Sequence, residues 1–342
     1  MMRHRRPVSA AVFLATALTT ASCAQPNHDE PQPAWVSATD SPLPLPPGAT
    51  VEKAGSSPGK PILVEGLLGS RRPGNESVEE RVPEILRRGR LIVGVDQSQN
   101  LLSFRDATTG ELEGFEVDLA REMARDIFGD PSRVDFRFVD SSDRVMALEE
   151  GAVDIVVRSM TITRSRQDQI AFSTPYFTAR TRILAMESSN ISSLADLEGR
   201  TVCVTNGSTA AERARTLAPE ADLLLVRNWA DCLVAVQQYQ ADAVLSDDAI
   251  LSGIAEQDPY TRLVGPSLGE EHYGVGIASP GYRHDTDGLI RQVNSTIERV
   301  RDDGTWWRLY NRWFGPYQST DGPPPLDYRP EPDRETQQED EA

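Results

Sequence analysis

Histidine and cysteine are scarce: the 342 residues hold four of the first and three of the second. His4 and His28 precede any patterned segment, His284 stands in a polar loop and His272 adjoins a strand. None shares metal-ligand spacing with Cys, Asp or Glu, so no metal is expected. No glycine-rich run has the spacing that cradles phosphate, and no cofactor is expected. Positive charge is in deficit, with 35 Lys and Arg against 52 Asp and Glu and a net charge of -17. That excludes the basic surface nucleic acid requires. A poised acid, base or nucleophile is missing as well: Glu113 and Glu116 read as solvated residues as readily as catalytic ones, and no enzymatic activity is expected. Long apolar runs are also absent. The run Ala10 to Leu18 is too short to span a bilayer and follows Arg3, Arg5 and Arg6, which marks residues 1–22 as a secretory signal.

What is present begins at Cys23. Thr20-Ala21-Ser22-Cys23 resembles a bacterial lipobox, with Thr20 where Leu is usual. The resemblance implies that Cys23 is acylated and tethers the protein to the outer face of the membrane; ordinary cleavage nearby is the alternative. Residues 23–76 are rich in Pro, Ser, Gly and Ala, show no sustained period of 2 or 3.6, and read as a semi-extended spacer. Residues 317–342 are acidic, poor in core formers, and read as a disordered tail. Between them, Leu91 to Val95 reads as a fully buried strand, and Phe115, Leu119, Met123 and Ile127 recur at helical spacing. A strand at 134–139 and a helix at 143–150 complete a parallel α/β unit. A second, smaller unit follows, with a strand at 201–205, a helix opened by Gly207-Ser208-Thr209, and further alternation to Ser246. Cys203 and Cys232 fall within it. In an exported chain such a pair invites a disulfide, two buried thiols being the alternative.

The stretch from Val153 to Tyr176, VDIVVRSMTITRSRQDQIAFSTPY, carries the chemistry. It starts as a buried strand and breaks into Ser159 and Thr161 where the strand should end; ligands of open α/β sheets sit beyond those ends. There the Ser and Thr offer hydroxyl and backbone groups, and Arg166 offers a planar two-pronged donor for a carboxylate. A surface ion pair for Arg166, with Ser and Thr capping a helix, is the alternative. This pattern resembles that of the bacterial extracellular solute-binding proteins of family 3, the amino-acid-binding proteins of ABC importers. The segment from Asp303 to Gly315, DGTWWRLYNRWFG, resembles the family's closing motif, and its aromatics read as core. The resemblance covers Val82 to Gly315. It implies an α/β, two-lobed periplasmic-binding-protein fold of type II: lobe 1 from residues 77–182 and 274–316, lobe 2 from 183–273, and a hinge of two crossing strands.

The same resemblance implies a ligand set. Arg166, helped by Thr161 and Ser159, takes an amino acid's α-carboxylate. Asp247, at the end of Ala241-Asp242-Ala243-Val244-Leu245-Ser246-Asp247, takes the ammonium and leaves Asp248 as helix cap. Ser208 and Thr209 touch the carboxylate from lobe 2 at a helix start. Trp229 lies where some glutamate and aspartate binders place a contact, with core packing as the alternative, and Phe104 packs on the ligand's aliphatic part. The family's aromatic sandwich is missing, its places held by Gln99 and Ser141. Arg158 and Arg144 stand nearby instead, and a buried arginine needs a partner. A ligand side-chain carboxylate would serve, favouring glutamate or aspartate, then asparagine or glutamine; a protein acid such as Asp96 or Asp118 is the alternative partner of Arg158. The expected partners are a free amino acid, an ABC permease or else a membrane sensor, and the membrane through the lipid anchor. The receptor is expected to be a monomer. A periplasmic dehydratase or peptidoglycan-cleaving enzyme is the remaining alternative on this fold.

Overall fold

The computed structural model describes residues 43–279 and 286–330. The expected signal at 1–22, Cys23, the first part of the spacer and the tail beyond residue 330 lie outside the described residues. A short strand, β1 (Thr50–Glu52), precedes the first lobe. That lobe opens on α1 (Val78–Arg81) and α2 (Pro83–Arg88), then β2 (Leu91–Val95), buried along its whole length. A meander of β3 (Ser98–Gln99), β4 (Ser103–Arg105) and β5 (Leu112–Glu113) leads into α3 (Phe115–Phe128). Gly114 permits that entry: its φ is +129°, and a Cβ there would lie 2.2 Å from the Leu102 carbonyl oxygen. Next come β6 (Val134–Phe138), α4 (Arg144–Glu149), β7 (Ile155–Val156), α5 (Arg164–Gln167), β8 (Ile170–Phe172) and the long β9 (Phe177–Met186).

The second lobe runs through β10 (Thr201–Thr205), α6 (Thr209–Leu217), β11 (Asp222–Val226), α7 (Trp229–Gln237), β12 (Ala243–Asp247), α8 (Asp248–Gln257) and β13 (Thr261–Val264). β14 (Glu270–Tyr273) and β15 (Gly276–Ala278) return to lobe 1, which α9 (Thr286–Asp302) and α10 (Thr305–Trp313) complete. The lobe 1 sheet has the order β6-β2-β7-β15-β8, and the lobe 2 sheet β1-β11-β10-β12-β9-β13. In both, the central parallel strands, β2 and β7 in lobe 1 and β10 and β12 in lobe 2, are buried at all or all but one of their positions.

Two strands join the lobes, as expected. Residues 177–180 of β9 pair antiparallel with β14, and residues 181–186 enter the lobe 2 sheet beside β12 and β13. The closing aromatics are core except Trp307, which is exposed: Trp306, Tyr310 and Phe314 are buried and pack with Phe115 and Phe177 at centroid distances of 5.1 to 6.1 Å. Cys203 on β10 and Cys232 on α7 form a disulfide within lobe 2.

Two expectations for the flanks need correction. Residues 43–76 are not a free spacer: β1 pairs antiparallel with β11, and the Ser70 hydroxyl donates to the Phe172 carbonyl at 2.7 Å. Nor are residues 317–330 a disordered tail. Tyr328 bridges Ser70, its hydroxyl reaches Glu298 at 2.8 Å, and the Asp327 amide donates to the Thr174 hydroxyl at 2.9 Å. The reason is physical: a segment that adds its backbone to an existing edge builds no core of its own, so its sequence needs no apolar period.

Candidate functional site

The strand ends and helix starts of both lobes face each other across one cleft. β7 stops at Val156, and the chain turns at Ser159, whose φ of +39° aims its amide at Glu116 Oε1, 2.5 Å away. Tyr176 donates to the same oxygen at 2.5 Å. Glu116 is fully buried, contrary to the solvated reading, and burial pushes its carboxyl up to about 7. Beyond the turn, Thr163 caps α5 and accepts the Arg166 amide at 3.3 Å, which fixes the root of that side chain. The Arg166 guanidinium then donates to the Thr161 carbonyl at 2.8 Å and, across the cleft, to the Gly207 carbonyl at 3.4 Å.

Arg144 arrives from the first turn of α4. It is buried and donates to the carbonyls of Ser141 at 2.8 Å, Arg158 at 3.2 Å and, across the cleft, Gly207 at 3.3 Å. Burial pushes its pKa well down, and the charges of Arg166 and Arg158 act in the same sense. Among the described residues, no carboxylate lies within ion-pair distance of either Arg144 or Arg166. Gly207 makes this approach possible, because a Cβ there would stand 2.9 Å from the Ser142 Cα.

From lobe 2 come Ser208, Thr209 and Asp247. Ser208 caps α6, accepting the Ala211 amide at 3.1 Å. Asp247 ends β12 at the N-cap position of α8, yet its carboxylate makes no capping bond and instead accepts from the Tyr273 hydroxyl at 2.7 Å. Asp248 does not act as the expected side-chain cap, since its carboxylate receives the Arg180 amide at 3.0 Å. Burial first, then the charge of Glu271, raises the Asp247 carboxyl to about 8.

These groups surround one small cavity. Arg144, Ser159, Arg166, Ser208, Thr209, Trp229 and Asp247 line it, together with Ser141, Ala210, Ser246 and Ile250. The last four were missed as contacts. Ser246 carries no signal in the sequence beyond its place at a strand end, yet its hydroxyl is buried with no partner among the described residues. Trp229 supplies an aromatic wall where the sandwich residues are absent.

Three expected contacts are placed elsewhere. Arg158 is fully buried, and it does not line the cavity because Asp96 and the Ser141 hydroxyl hold its guanidinium inside lobe 1. Phe104 stacks edge-on against Trp313 at 5.8 Å, since β4 turns that side chain toward α10. Thr161 positions others: its hydroxyl donates to buried Glu271 at 2.7 Å while its carbonyl holds Arg166. Glu271 is itself neutralised by Arg213.

Comparison with known proteins shows the family. Residues 91–316 match the model of the bacterial extracellular solute-binding proteins, family 3. The ABC transporter glutamine-binding protein GlnH of Bacillus subtilis strain 168 is 31% identical over 258 residues, covering 74% of this chain and 93% of that protein. The glutamate-binding protein GluB of Corynebacterium glutamicum is 27% identical over 239 residues, 66% of this chain and 79% of its own. Among solved structures, the ancestral amino acid-binding protein AncCDT-1, a precursor of cyclohexadienyl dehydratase, superposes with a TM-score of 0.62 at 31% identity, covering 68% of this chain and 99% of its own.

Proposed function

The chain belongs to the bacterial extracellular solute-binding proteins of family 3, and on that premise we propose that it is an exported receptor for glutamate or aspartate that serves an ABC importer. The observation that carries this reading is the charge of the cavity: two guanidiniums without carboxylate partners among the described residues, Arg144 and Arg166, and one carboxylate, Asp247, share the same lining. An acidic amino acid brings two carboxylates and one ammonium, the mirror of that set. A neutral amino acid would leave one buried guanidinium uncompensated, which is costly.

Arg166 and the amides at the start of α6 take the α-carboxylate, where the helix N-terminus adds its favourable field. Asp247 takes the ammonium. Arg144 takes the side-chain carboxylate, the role the sequence alone had favoured for Arg158. Ser246 offers its free hydroxyl, and Trp229 with Ile250 covers the methylenes. Because Arg144 and Arg166 belong to lobe 1 and Asp247 to lobe 2, one bound zwitterion bridges the lobes and favours closure.

The relative named for glutamine supports a second reading, in which an amide replaces the acid at Arg144. A thermal-shift screen of the twenty amino acids separates the two, since a ligand stabilises the folded form by mass action. Shifts led by glutamate and aspartate support the proposal; a larger shift with glutamine overturns the acidic assignment, and no shift with any amino acid overturns the receptor reading. Acylation at Cys23 anchors the receptor in this proposal, and a Cys23→Ser chain that still fractionates with membranes would sink that part of it.

A further inference from the structure

The segment between β1 and lobe 1 lies outside the family match, which begins at residue 91. Its first half is held by lobe 2. Beside the β1–β11 pairing, Glu52 makes a two-pronged ion pair with Arg215 at 2.9 and 2.8 Å, Lys53 pairs with Asp222 at 2.6 Å, and the Lys60 amide donates to Glu212 at 2.7 Å. Gly59 lies so tightly on α6 that a Cβ would stand 2.2 Å from the Thr216 hydroxyl oxygen and 2.8 Å from the Glu212 carbonyl oxygen. Its second half is held by lobe 1. The Leu63 carbonyl accepts the Arg164 amide at 3.0 Å, and Leu68 exchanges two hydrogen bonds with the Gln167 side chain at 2.9 and 2.6 Å.

Only Pro61 and Ile62 lie between the Lys60 and Leu63 anchors. A stretch of three residue steps reaches at most about 11 Å, so these anchors tolerate little separation of the lobes. The crossing lines one wall of an open pocket next to the charged cavity, and Arg166, Ser208 and Thr209 line both spaces.

We propose that Lys60–Leu63 is a third crossing between the lobes, which closes the ligand cleft on the Arg166 side and sets how fast the bound amino acid leaves. The inference rests on the charged cavity being the ligand site. In this arrangement the two hinge strands guide closure and the third crossing resists reopening, because the lobes separate only after the Lys60 or the Leu63 anchor is broken. Ligand exchange, more than ligand capture, is then under its control.

Two variants of the full chain test it. Gly59→Val drives the segment off α6. Insertion of Gly-Ser-Gly-Ser between Pro61 and Ile62 lengthens the crossing and leaves every anchor intact, so it decides the matter if the first variant fails to fold. Stopped-flow release of glutamate should accelerate by about tenfold or more in either variant while the association rate stays within a fewfold of wild type, the usual pattern when retention alone is altered. Spin labels on the two lobes of the ligand-free protein should report longer and broader separations with the insertion. Unchanged release with unchanged separations overturns the proposal. Should no amino acid bind even the wild type, the separations alone decide: broadening keeps the crossing as a restraint while the receptor reading falls, and identical distributions remove both.

Discussion

Replacing Arg144 with methionine keeps much of the buried apolar stem and removes the guanidinium that faces the ligand's side chain. For glutamate the change leaves a carboxylate in the closed cavity without its charged partner, a loss of about 3 to 4 kcal/mol for a buried charge-assisted pair. At 1.4 kcal/mol per tenfold, glutamate affinity should fall roughly 100- to 1000-fold. Glutamine loses only a hydrogen bond to its amide oxygen, about 1 kcal/mol or roughly fivefold. Arg144 also holds the Gly207 carbonyl across the cleft at 3.3 Å, so its removal weakens closure around every ligand. That common part cancels in the ratio of the two dissociation constants, which calorimetry with both amino acids on both proteins measures directly. A glutamate-to-glutamine ratio that is the same in Arg144→Met and wild type would refute the assignment of Arg144 to the side-chain carboxylate.

Asp247 gives a second expectation, from pH. Its carboxyl is raised to about 8 from an ordinary 3.8, so below pH 8 the ligand-free protein holds a proton there that an incoming ammonium must expel. Affinity should therefore rise between pH 6 and 8 by up to about tenfold per unit, with one proton released per ligand; equal calorimetric heats in buffers of different ionisation enthalpy would contradict it. The folded state binds this proton more tightly than the unfolded chain, so the same group makes the ligand-free protein less stable as pH climbs from about 4 through 8. Glu116 titrates nearby, at about 7, but does not line the cavity, and Glu116→Gln should keep the binding slope. The Cys203–Cys232 bridge closes a separation of 29 residues; on loop entropy its replacement by two serines should cost about 3 to 4 kcal/mol in denaturant unfolding, and a loss below about 1 kcal/mol would show that the bridge constrains little.

The residues legible in the sequence were those whose role is tied to a turn. Arg166 follows a helix cap at fixed spacing, Asp247 ends a buried strand, and Ser208 starts a helix; each position has its direction imposed by local geometry. Arg158 was misread because a strand end was treated as a single polar spot. The chain turns at Ser159, where φ is +39°, and Asp96 with the Ser141 hydroxyl holds the Arg158 guanidinium inside lobe 1, so only Ser159 of the two reaches the cavity. At β12 the chain passes directly into α8, and Ser246 and Asp247 both line the space. Phe104 failed because the sequence reading placed no element there, and β4 turns that side chain toward Trp313 of α10. The alternating strands and helices followed from apolar runs and their order, and the two lobes with their hinge strands from the family resemblance. The segment before residue 77 did not, since its bonds run to edges that other parts of the chain create.

Arg158 nevertheless bears on the charge of the site, through other residues. Its guanidinium grips Asp96 and the Ser141 hydroxyl, the Ser141 carbonyl receives Arg144 Nε at 2.8 Å, and its own carbonyl receives Arg144 Nη1 at 3.2 Å. The pair with Asp96 is fully buried and adds no net charge, so the positive charge presented to the ligand's side chain is that of Arg144 alone. Arg158→Ala should destabilise the fold by about 3 to 5 kcal/mol, because it strands a buried carboxylate, and should lower glutamate affinity only by loosening Ser141 and with it Arg144. A double-mutant cycle separates this from direct contact. If Arg158 acts through Arg144, its removal costs glutamate binding in the wild type and nothing further once Arg144 is methionine. Should the two losses simply add, Arg158 has its own path to the ligand, and the placement of its side chain behind Ser141 is wrong.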